Sequence, residues 1–292
     1  MLKYGNIYKN YAEQDKKYEK RDFDEEHNRK DYYSNYDKRC QVDVFFTFHI
    51  IQLLQRQLKT KIILKGLTMI NKETYLDAIG IIEIGRNIKE RQIASGSIVK
   101  GGRYPLIATA AHCTYNYIKN AYYEEIFFTP IRVKDQKYKV VAAAVPLQFI
   151  NHTYLEYDTS FLILEESFNE NDIYEDIALD VKFCLPKELT YQIFGYPYMR
   201  KELAKSEGKA IKDTFKGSAL QGVNCFEKDG MSGGPWITRY GQKMIQNSVS
   251  ILSFNSVEGI MWGPYWGEAI ERAYQVAKNP DIYSQDVQLH YF

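Results

Sequence analysis

The sequence predicts an all-β protein of two antiparallel β-barrels, with a C-terminal helix after them and a charged, partly helical extension before them. Two observations predict the barrels: short runs of β-branched and aromatic residues recur between residues 75 and 266, and no long helical pattern separates them. Short strands at this spacing are typical of closed antiparallel sheets. A third observation predicts the helix, because apolar residues from Glu268 to Ala277 have helical spacing and Pro280 follows.

Residues 1–66 form the predicted extension, and their composition differs from that of the rest of the chain. Met1 to Arg39 is dense in Lys, Asp, Glu and Tyr, which is typical of a solvated helix or a disordered tail. Residues 41–66 have the pattern of one amphipathic helix, and its apolar run 44–54 is too short to span a bilayer. We interpret this run as a packed or docking helix. An uncleaved membrane anchor and a displaced signal segment are the alternatives.

Residues 67–292 are predicted to form one domain. The first barrel covers about residues 70–166 and the second about 186–266, and the linker Phe183–Pro186 crosses between them. The C-terminal helix covers about residues 268–278. The predicted strands are 75–84, 93–99, 104–108, 126–133, 138–145 and 161–164 in the first barrel, and 191–195, about 210–214, 220–225, 236–238, 249–254 and 259–266 in the second.

Composition excludes several classes of function. The chain has 292 residues, of which 45% are hydrophobic, and this is enough for a substantial core. Its net charge of +1 does not indicate a nucleic-acid partner. The four cysteines, at positions 40, 113, 184 and 225, include no C-x-x-C pair, so a zinc site is not expected.

The segment that indicates chemistry is residues 230–235, Gly-Met-Ser-Gly-Gly-Pro. Its glycines let backbone amides converge around Ser232, which suits an acyl-transfer nucleophile beside an oxyanion hole. The segment also matches the nucleophile elbow of the α/β-hydrolases, G-x-S-x-G. That alternative fails on two counts. The run after Pro235 has a strand pattern where the elbow needs a helix. The hydrolase order also places the acid and the histidine after the serine, but the only histidine after Ser232 is His290, near the C-terminus.

The partners of Ser232 therefore lie upstream. His112 stands in the run Thr-Ala-Ala-His-Cys, directly after an apolar stretch, and Asp158 opens the run Asp-Thr-Ser-Phe-Leu-Ile-Leu. The order His, Asp, Ser is that of the chymotrypsin-type triad. In these three motifs the sequence resembles the trypsin/chymotrypsin superfamily of serine peptidases, and the resemblance covers roughly residues 75–278.

The resemblance implies a role for each motif residue. Ser232 corresponds to the nucleophile, His112 to the general base and acid, and Asp158 to the group that orients the imidazole. The N–H groups of Gly230 and Ser232 correspond to the oxyanion hole. The implied fold is the chymotrypsin-like double barrel. The implied reaction is hydrolysis of protein or peptide substrates through an acyl-enzyme, and it needs no metal or cofactor.

Two further motifs and one departure refine the resemblance. Residues 195–197, Gly-Tyr-Pro, resemble a turn of the bacterial, glutamyl-endopeptidase-like branch, and we interpret His152, in the loop before the aspartate, as structural. Met231 stands where digestive enzymes have an aspartate that pairs with the N-terminus of a cleaved zymogen. The chain also has no Ile-Val-Gly-Gly sequence. We therefore expect a site that is competent without N-terminal cleavage.

The cysteine pattern also departs from the family. There, the cysteine after the histidine is bridged to one just before the strand that here contains residues 96–99, but Ala94 and Ser95 occupy that place. Cys113 has therefore lost its usual partner. Secreted proteins tend to keep such bridges, and no signal peptide opens the chain, so we favour an intracellular, reducing compartment.

The substrate pocket is inferred from the resemblance alone. It is expected to surround the side chain before the scissile bond with Phe226, Ser253, Phe254 and Asn255, and Gly263 is a further candidate. Phe226 stands where trypsin-like enzymes have an aspartate, so a preference for Arg or Lys is not supported. Whether Phe226 caps a shallow apolar pocket or swings away from it stays open.

Two other functions stay open. A catalytically silent protein of the same fold would use its cleft as a peptide- or protein-binding module, although the presence of all three triad residues favours an enzyme. In the second alternative, residues 1–66 are an adaptor that localises the protease.

Overall fold

The structure of the chain is a computed structural model. The N-terminal extension, including Cys40 and the apolar run 44–54, lies outside the described residues, so the expectations for it stay predictions. Within the described residues, no helix has both the length and the apolar character that crossing a bilayer requires. The structure describes residues 74–85, 91–131, 136–165, 174–197, 202–214, 217–225, 230–253 and 259–292.

The first eight strands are β1 (Ile79–Ile84), β2 (Gln92–Val99), β3 (Leu106–Thr109), β4 (Tyr115–Asn116), β5 (Ala121–Tyr122), β6 (Ile126–Pro130), β7 (Tyr138–Pro146) and β8 (Ser160–Leu164). Six of them form an antiparallel sheet in the order β7-β6-β1-β2-β3-β8. Because β8 pairs with β7 as well as with β3, this sheet closes into a barrel. Strands β4 and β5 form a small separate hairpin.

Apolar side chains fill this barrel. Ile82 and Ile98 point inward from the adjacent strands β1 and β2, and Phe128 and Leu162 fill the barrel from β6 and β8; all four are fully buried. Full burial of one such side chain contributes about 1.5–3 kcal/mol to folding. The β-branched and aromatic residues that predicted the strands are therefore also the residues that stabilise the barrel.

The next eight strands are β9 (Asp180–Val181), β10 (Thr190–Gly195), β11 (Ala204–Lys209), β12 (Ile211–Lys212), β13 (Gln221–Asn224), β14 (Pro235–Tyr240), β15 (Lys243–Val249) and β16 (Ile260–Gly263). In the described residues they form two sheets, β11-β10-β14-β15-β9 and β12-β13-β16. A bridge between Leu252 and Trp262 joins the chain after β15 to β16. The two sheets enclose a smaller core around Tyr191 and Trp236.

One predicted strand lies in the wrong place. The apolar run Val249–Phe254 was predicted to be a strand, but the strand β15 ends at Val249, where the run begins. The chain leaves the sheet because Ser250 bonds to the glycine-rich loop instead: its N–H donates to the carbonyl of Gly234 and its carbonyl accepts from Gly233. Tertiary hydrogen bonds therefore overrode the local strand pattern.

Three helices complete the described chain: α1 (Leu147–His152), α2 (Tyr174–Ile177) and α3 (Glu268–Lys278). Helix α3 buries Ile270, Ala273 and Tyr274 against the first barrel, and the Tyr274 hydroxyl donates to the carbonyl of Lys100 at 2.6 Å. The chain then returns as β17 (Val287–Tyr291), which adds to β7 and was not predicted. The predicted fold class, β-barrel architecture with a C-terminal helix, is confirmed.

Candidate active site

Two paired strands carry the histidine and the aspartate. Strand β3 ends at Thr109, and the chain then makes a 3₁₀ turn, Ala111–Cys113, with His112 at its centre. Asp158 lies just before β8, which pairs with β3 so that Ser160 faces Thr109. The register of this strand pair therefore brings the two residues, 46 positions apart in sequence, to the same end of the barrel.

His112 and Asp158 are joined by two hydrogen bonds. Nδ1 of His112 lies 2.7 Å from Oδ2 of Asp158, and the backbone N–H of His112 donates to Oδ1 at 2.9 Å. Asp158 is only 1% exposed, whereas 24% of the His112 side chain is exposed. A buried carboxylate at Nδ1 favours the tautomer with its proton on that nitrogen, which leaves Nε2 as a proton acceptor.

The surroundings of His112 shift its pKa. Burial disfavours the imidazolium, but the negative charge and hydrogen bond of Asp158 outweigh it, with a further contribution from Cys113, and hold the pKa of His112 well above its ordinary value. Because a general base must be neutral, we expect kcat/KM for a peptide substrate to rise with pH, with a midpoint above 6.5. A pH profile with its midpoint at or below 6.5 would contradict this prediction.

Ser232 lies in a tight loop just before β14. The N–H of Gly233 donates to the carbonyl of Ser250 at 2.7 Å, and the N–H of Gly234 donates to the carbonyl of Met231 at 2.9 Å. Gly233 has a φ of +78°, in the left-handed region that favours glycine. The glycines predicted this turn because glycine adopts such a conformation with the least strain.

The loop packs against the segment that leads to His112. A β-carbon at Gly233 would lie 2.0 Å from Oγ1 of Thr109 and 3.0 Å from the backbone nitrogen of Ala110. Only the missing side chain of Gly233 lets the two segments approach this closely. Ser232, adjacent to Gly233, is therefore held beside the chain that carries the histidine.

Among the residues that the structure describes, the Ser232 hydroxyl is not hydrogen-bonded to His112, which would be the remaining bond of a triad. Its Oγ lies 3.5 Å from the carbonyl oxygen of Ile251, and within the described residues it makes no hydrogen bond to His112. Catalytic hydrogen bonds are often long or misaligned before substrate binds. The structure thus brings His112 and Asp158 into direct contact and positions the loop of Ser232 nearby.

The predicted oxyanion hole consists of the N–H groups of Gly230 and Ser232. Within the part of the chain that the structure describes, neither group donates a hydrogen bond to the protein. Gly230 has a φ of +87°, again in the left-handed region. Two N–H groups without an internal acceptor are suited to bind an oxygen that gains negative charge.

Met231, between Gly230 and Ser232, anchors the loop through its side chain. Its side chain is fully buried in an apolar cluster with Tyr191 and Trp236. The chain passes so close at Gly195 that a β-carbon there would lie 2.9 Å from Sδ of Met231. An unpaired carboxylate would be costly in these surroundings. The expectation that the site needs no N-terminal cleavage stays a prediction, and this packing is its physical basis.

The predicted substrate pocket lies mostly outside the described residues. Ser253 is half-buried and follows Ile251, whose carbonyl is close to the Ser232 hydroxyl, by two positions. Gly263 is tightly packed, since a β-carbon there would lie 2.6 Å from the carbonyl oxygen of Val249. The remaining predicted pocket residues, which the structure does not describe, are Phe226, Phe254 and Asn255.

Other predicted features lie outside this site. His152, at the end of α1, is exposed, and its ring lies 5.0 Å from that of Tyr154. Cys113 is buried and Cys184 is exposed, both as free thiols. Across the described ranges, no three His, Cys, Asp or Glu side chains come together as a metal-binding group.

Two residues that support the site were not predicted. Ser95, on β2, donates its backbone N–H to the carbonyl of Ser232 at 2.8 Å. Trp266 donates its Nε1–H to Oγ1 of Thr159, next to Asp158, at 3.1 Å. The run Ser-Gly-Ser at residues 95–97 was a signal for close backbone approach, but no local signal connects Trp266 with a residue 107 positions away.

The chain is similar in structure to known proteases. The protease Anisep from Arthrobacter nicotinovorans matches with a TM-score of 0.62 and 27% sequence identity, over 69% of this chain and 95% of Anisep. The thermostable serine protease AL20 from an extremophilic microorganism matches with a TM-score of 0.64 and 24% identity, over 71% of this chain and 100% of its own.

A third match is a Glu endopeptidase solved in complex with MPD, with a TM-score of 0.57 and 18% identity, over 73% of this chain and 94% of its own. At this identity the likeness shows the fold alone. No protein-family model matches the chain, and no curated protein matches its sequence. The predicted resemblance to the trypsin/chymotrypsin-like superfamily is nevertheless confirmed by the shared fold.

Proposed function

We propose that the protein is a serine endopeptidase that hydrolyses peptide bonds with Ser232, His112 and Asp158. The observation that carries the proposal is the 2.7 Å contact between His112 and the buried carboxylate of Asp158, beside the loop of Ser232. Similarity to the protease Anisep supports the reaction class. Protein or peptide substrates are part of the proposal.

In the proposed acylation, Oγ of Ser232 attacks the carbonyl carbon of the scissile peptide bond. Nε2 of His112 takes the hydroxyl proton, and Asp158 stabilises the resulting imidazolium. The carbonyl oxygen becomes an oxyanion and accepts hydrogen bonds from the N–H groups of Gly230 and Ser232. The intermediate then collapses: the C–N bond breaks, and His112 returns the proton to the leaving amine.

Deacylation repeats these steps with water. A water molecule gives a proton to His112 and attacks the acyl carbon, and the same two N–H groups stabilise the second oxyanion. The ester bond to Ser232 breaks, Oγ takes the proton back from His112, and the carboxylic acid product leaves. The raised pKa of His112 supports its role in both steps, because a stabilised imidazolium is the charged species that each step creates.

A fluorophosphonate probe tests the proposal, because it reacts with activated serines independently of peptide specificity. Oγ attacks phosphorus, the fluoride leaves, and His112 takes the proton. We expect the full-length protein to be labelled once, and Ser232→Ala to remove both labelling and peptide hydrolysis. Ser206→Ala, which changes a half-buried serine on β11, is the matched control and should be labelled normally.

Two outcomes would contradict the proposal. If the well-folded protein is neither labelled nor active on a peptide library, the cleft is better explained as a binding module. If Ser232→Ala is still labelled, another residue is the nucleophile. Mass spectrometry identifies the second outcome. The intact mass before and after labelling counts the attached groups, and peptide mapping locates the labelled residue.

A further inference from the structure

Ser95 is a polar residue beside the candidate site whose hydrogen bonds reach three separate segments of the chain. It lies on β2 and is fully buried. Its backbone N–H donates to the carbonyl of Ser232 at 2.8 Å, and its hydroxyl donates to the carbonyl of Gly230 at 2.9 Å. One residue of the first barrel therefore holds the carbonyls of both residues whose N–H groups are the proposed oxyanion donors.

Two more bonds fix Ser95 itself. Its hydroxyl oxygen accepts from the backbone N–H of Tyr196 at 2.8 Å, and its carbonyl accepts from Oγ1 of Thr109 at 2.9 Å. Thr109 ends the strand that leads to His112. Ser95 thus joins the loop of the nucleophile, the segment of the histidine and the Gly-Tyr-Pro turn.

We infer that Ser95 is a positioning residue that keeps the N–H groups of Gly230 and Ser232 directed toward the substrate oxygen. This inference rests on the proposed function. A held carbonyl fixes the peptide plane that it shares with the N–H of the next residue. The two bonds from Ser95 therefore fix the Gly230–Met231 and Ser232–Gly233 planes, which lie directly beside the peptide groups that carry the two donor N–H groups. Ser95 acts through these donors and does not touch the substrate.

The glycine-rich loop needs such external support. Gly230 has no side chain to hold its backbone, and at a φ of +87° it has many accessible alternatives. Met231 anchors the loop by apolar packing, which is not directional. Hydrogen bonds are directional, so the two from Ser95 limit how far the neighbouring donor N–H groups can rotate.

Ser95→Ala removes the hydroxyl and keeps the backbone bond to Ser232. Removing one oxyanion donor costs about 10²–10³ in kcat, so misdirecting one is expected to lower kcat ~10-fold or more. KM for a peptide substrate selected by library screening should change by less than about threefold, because the bonds lost are not to the substrate. The rate of fluorophosphonate labelling should fall in parallel with kcat, because its phosphoryl oxygen occupies the same hole.

Ser97→Ala is the matched control. Ser97 lies two positions further on β2, is also fully buried, and donates its hydroxyl to Oε1 of Gln246 at 2.6 Å, outside the loop of Ser232. Both variants lose buried hydrogen bonds and are expected to unfold at lower temperature. Only Ser95→Ala should lose kcat when both are assayed well below their melting temperatures. If Ser95→Ala does not fold, Ser95→Cys replaces it, since a thiol is a weaker donor of similar size.

The results separate this inference from the proposed function. If the unaltered protein is inactive and unlabelled, the proposed function fails. If the unaltered protein is active and the Ser95 variant has the same kcat and labelling rate as Ser97→Ala, only the inference fails. A rise in KM at unchanged kcat would also overturn it, because Ser95 would then act on substrate binding.

Discussion

The Asp158→Asn variant is expected to keep its fold and to lose about four orders of magnitude in kcat, the loss that this change causes in a Ser–His–Asp triad. The asparagine oxygen can still accept from the backbone N–H of His112, as Oδ1 of Asp158 does at 2.9 Å. The amide group, however, would donate to Nδ1, where Oδ2 now accepts at 2.7 Å. The ring proton then moves to Nε2, and His112 can no longer take a proton from the serine.

Kinetics and melting temperature test this prediction together. Asp180→Asn is the control, because Asp180 pairs with Lys100 and Lys243 at the surface of the second sheet. Surface pairs contribute about 0–1 kcal/mol, so this variant should retain its kcat within about twofold. The acid limb of any residual activity of Asp158→Asn should also move to lower pH, because the charge that raises the pKa of His112 is gone. If kcat falls by less than about tenfold, another acid supports the histidine.

Gly233→Ala is expected to lower activity strongly, because the new side chain would displace the loop that carries Ser232. The new β-carbon would lie 2.0 Å from Oγ1 of Thr109 and 2.2 Å from the carbonyl oxygen of Ser95. The second contact is with the backbone of a buried strand, so the loop must move away. We expect kcat/KM to fall at least ~10²-fold, as when an oxyanion donor is lost. The free energy of unfolding should fall by more than about 3 kcal/mol.

Gly241→Ala separates the clash from the conformational strain. Gly241, in the turn between β14 and β15, also has a positive φ, +62°, but a β-carbon there would meet no atom within 4 Å. An L-residue in this region costs about 1–2 kcal/mol, and no loss of activity is expected. Urea unfolding measures the loss of stability in both variants, and peptide kinetics measure the loss of kcat/KM. Equal effects at the two positions would mean that close approach at Gly233 is unimportant.

Local patterns predicted the strands whose residues are themselves buried. Strand β8 is buried along its whole length, and its apolar run was recognised. Strand β11, Ala-Lys-Ser-Glu-Gly-Lys, was missed because its side chains alternate only between half-buried and exposed. It is a strand because it pairs with β10 in antiparallel register, with Glu207 opposite Gln192. Strand propensity depends on such partners, which no local pattern contains.

In the candidate site, too, residues within local motifs were predicted and residues defined by distant contacts were not. His112, Asp158 and Ser232 stand in short motifs whose composition indicates their surroundings, so all three were predicted as candidates from the sequence, and their catalytic roles stay predictions. Ser95 entered the sequence analysis only as a position that lacks the bridging cysteine, and its contact with the loop of Ser232 was not predicted. Its role becomes visible only when β2 lies against a loop 135 positions away.

The amino-acid sequence by itself determined the class of fold, the order of the three motif residues and the glycines that permit a loop with positive φ. These follow from local chemistry: side-chain pattern, backbone freedom and the reactivity of single groups. Only the tertiary structure decided which groups meet, namely the carboxylate of Asp158 at Nδ1 of His112 and the hydroxyl of Ser95 at the carbonyl of Gly230. The reason is physical: hydrogen bonds need atoms within about 3 Å, and distances between segments so far apart in the chain are set only when the barrel closes.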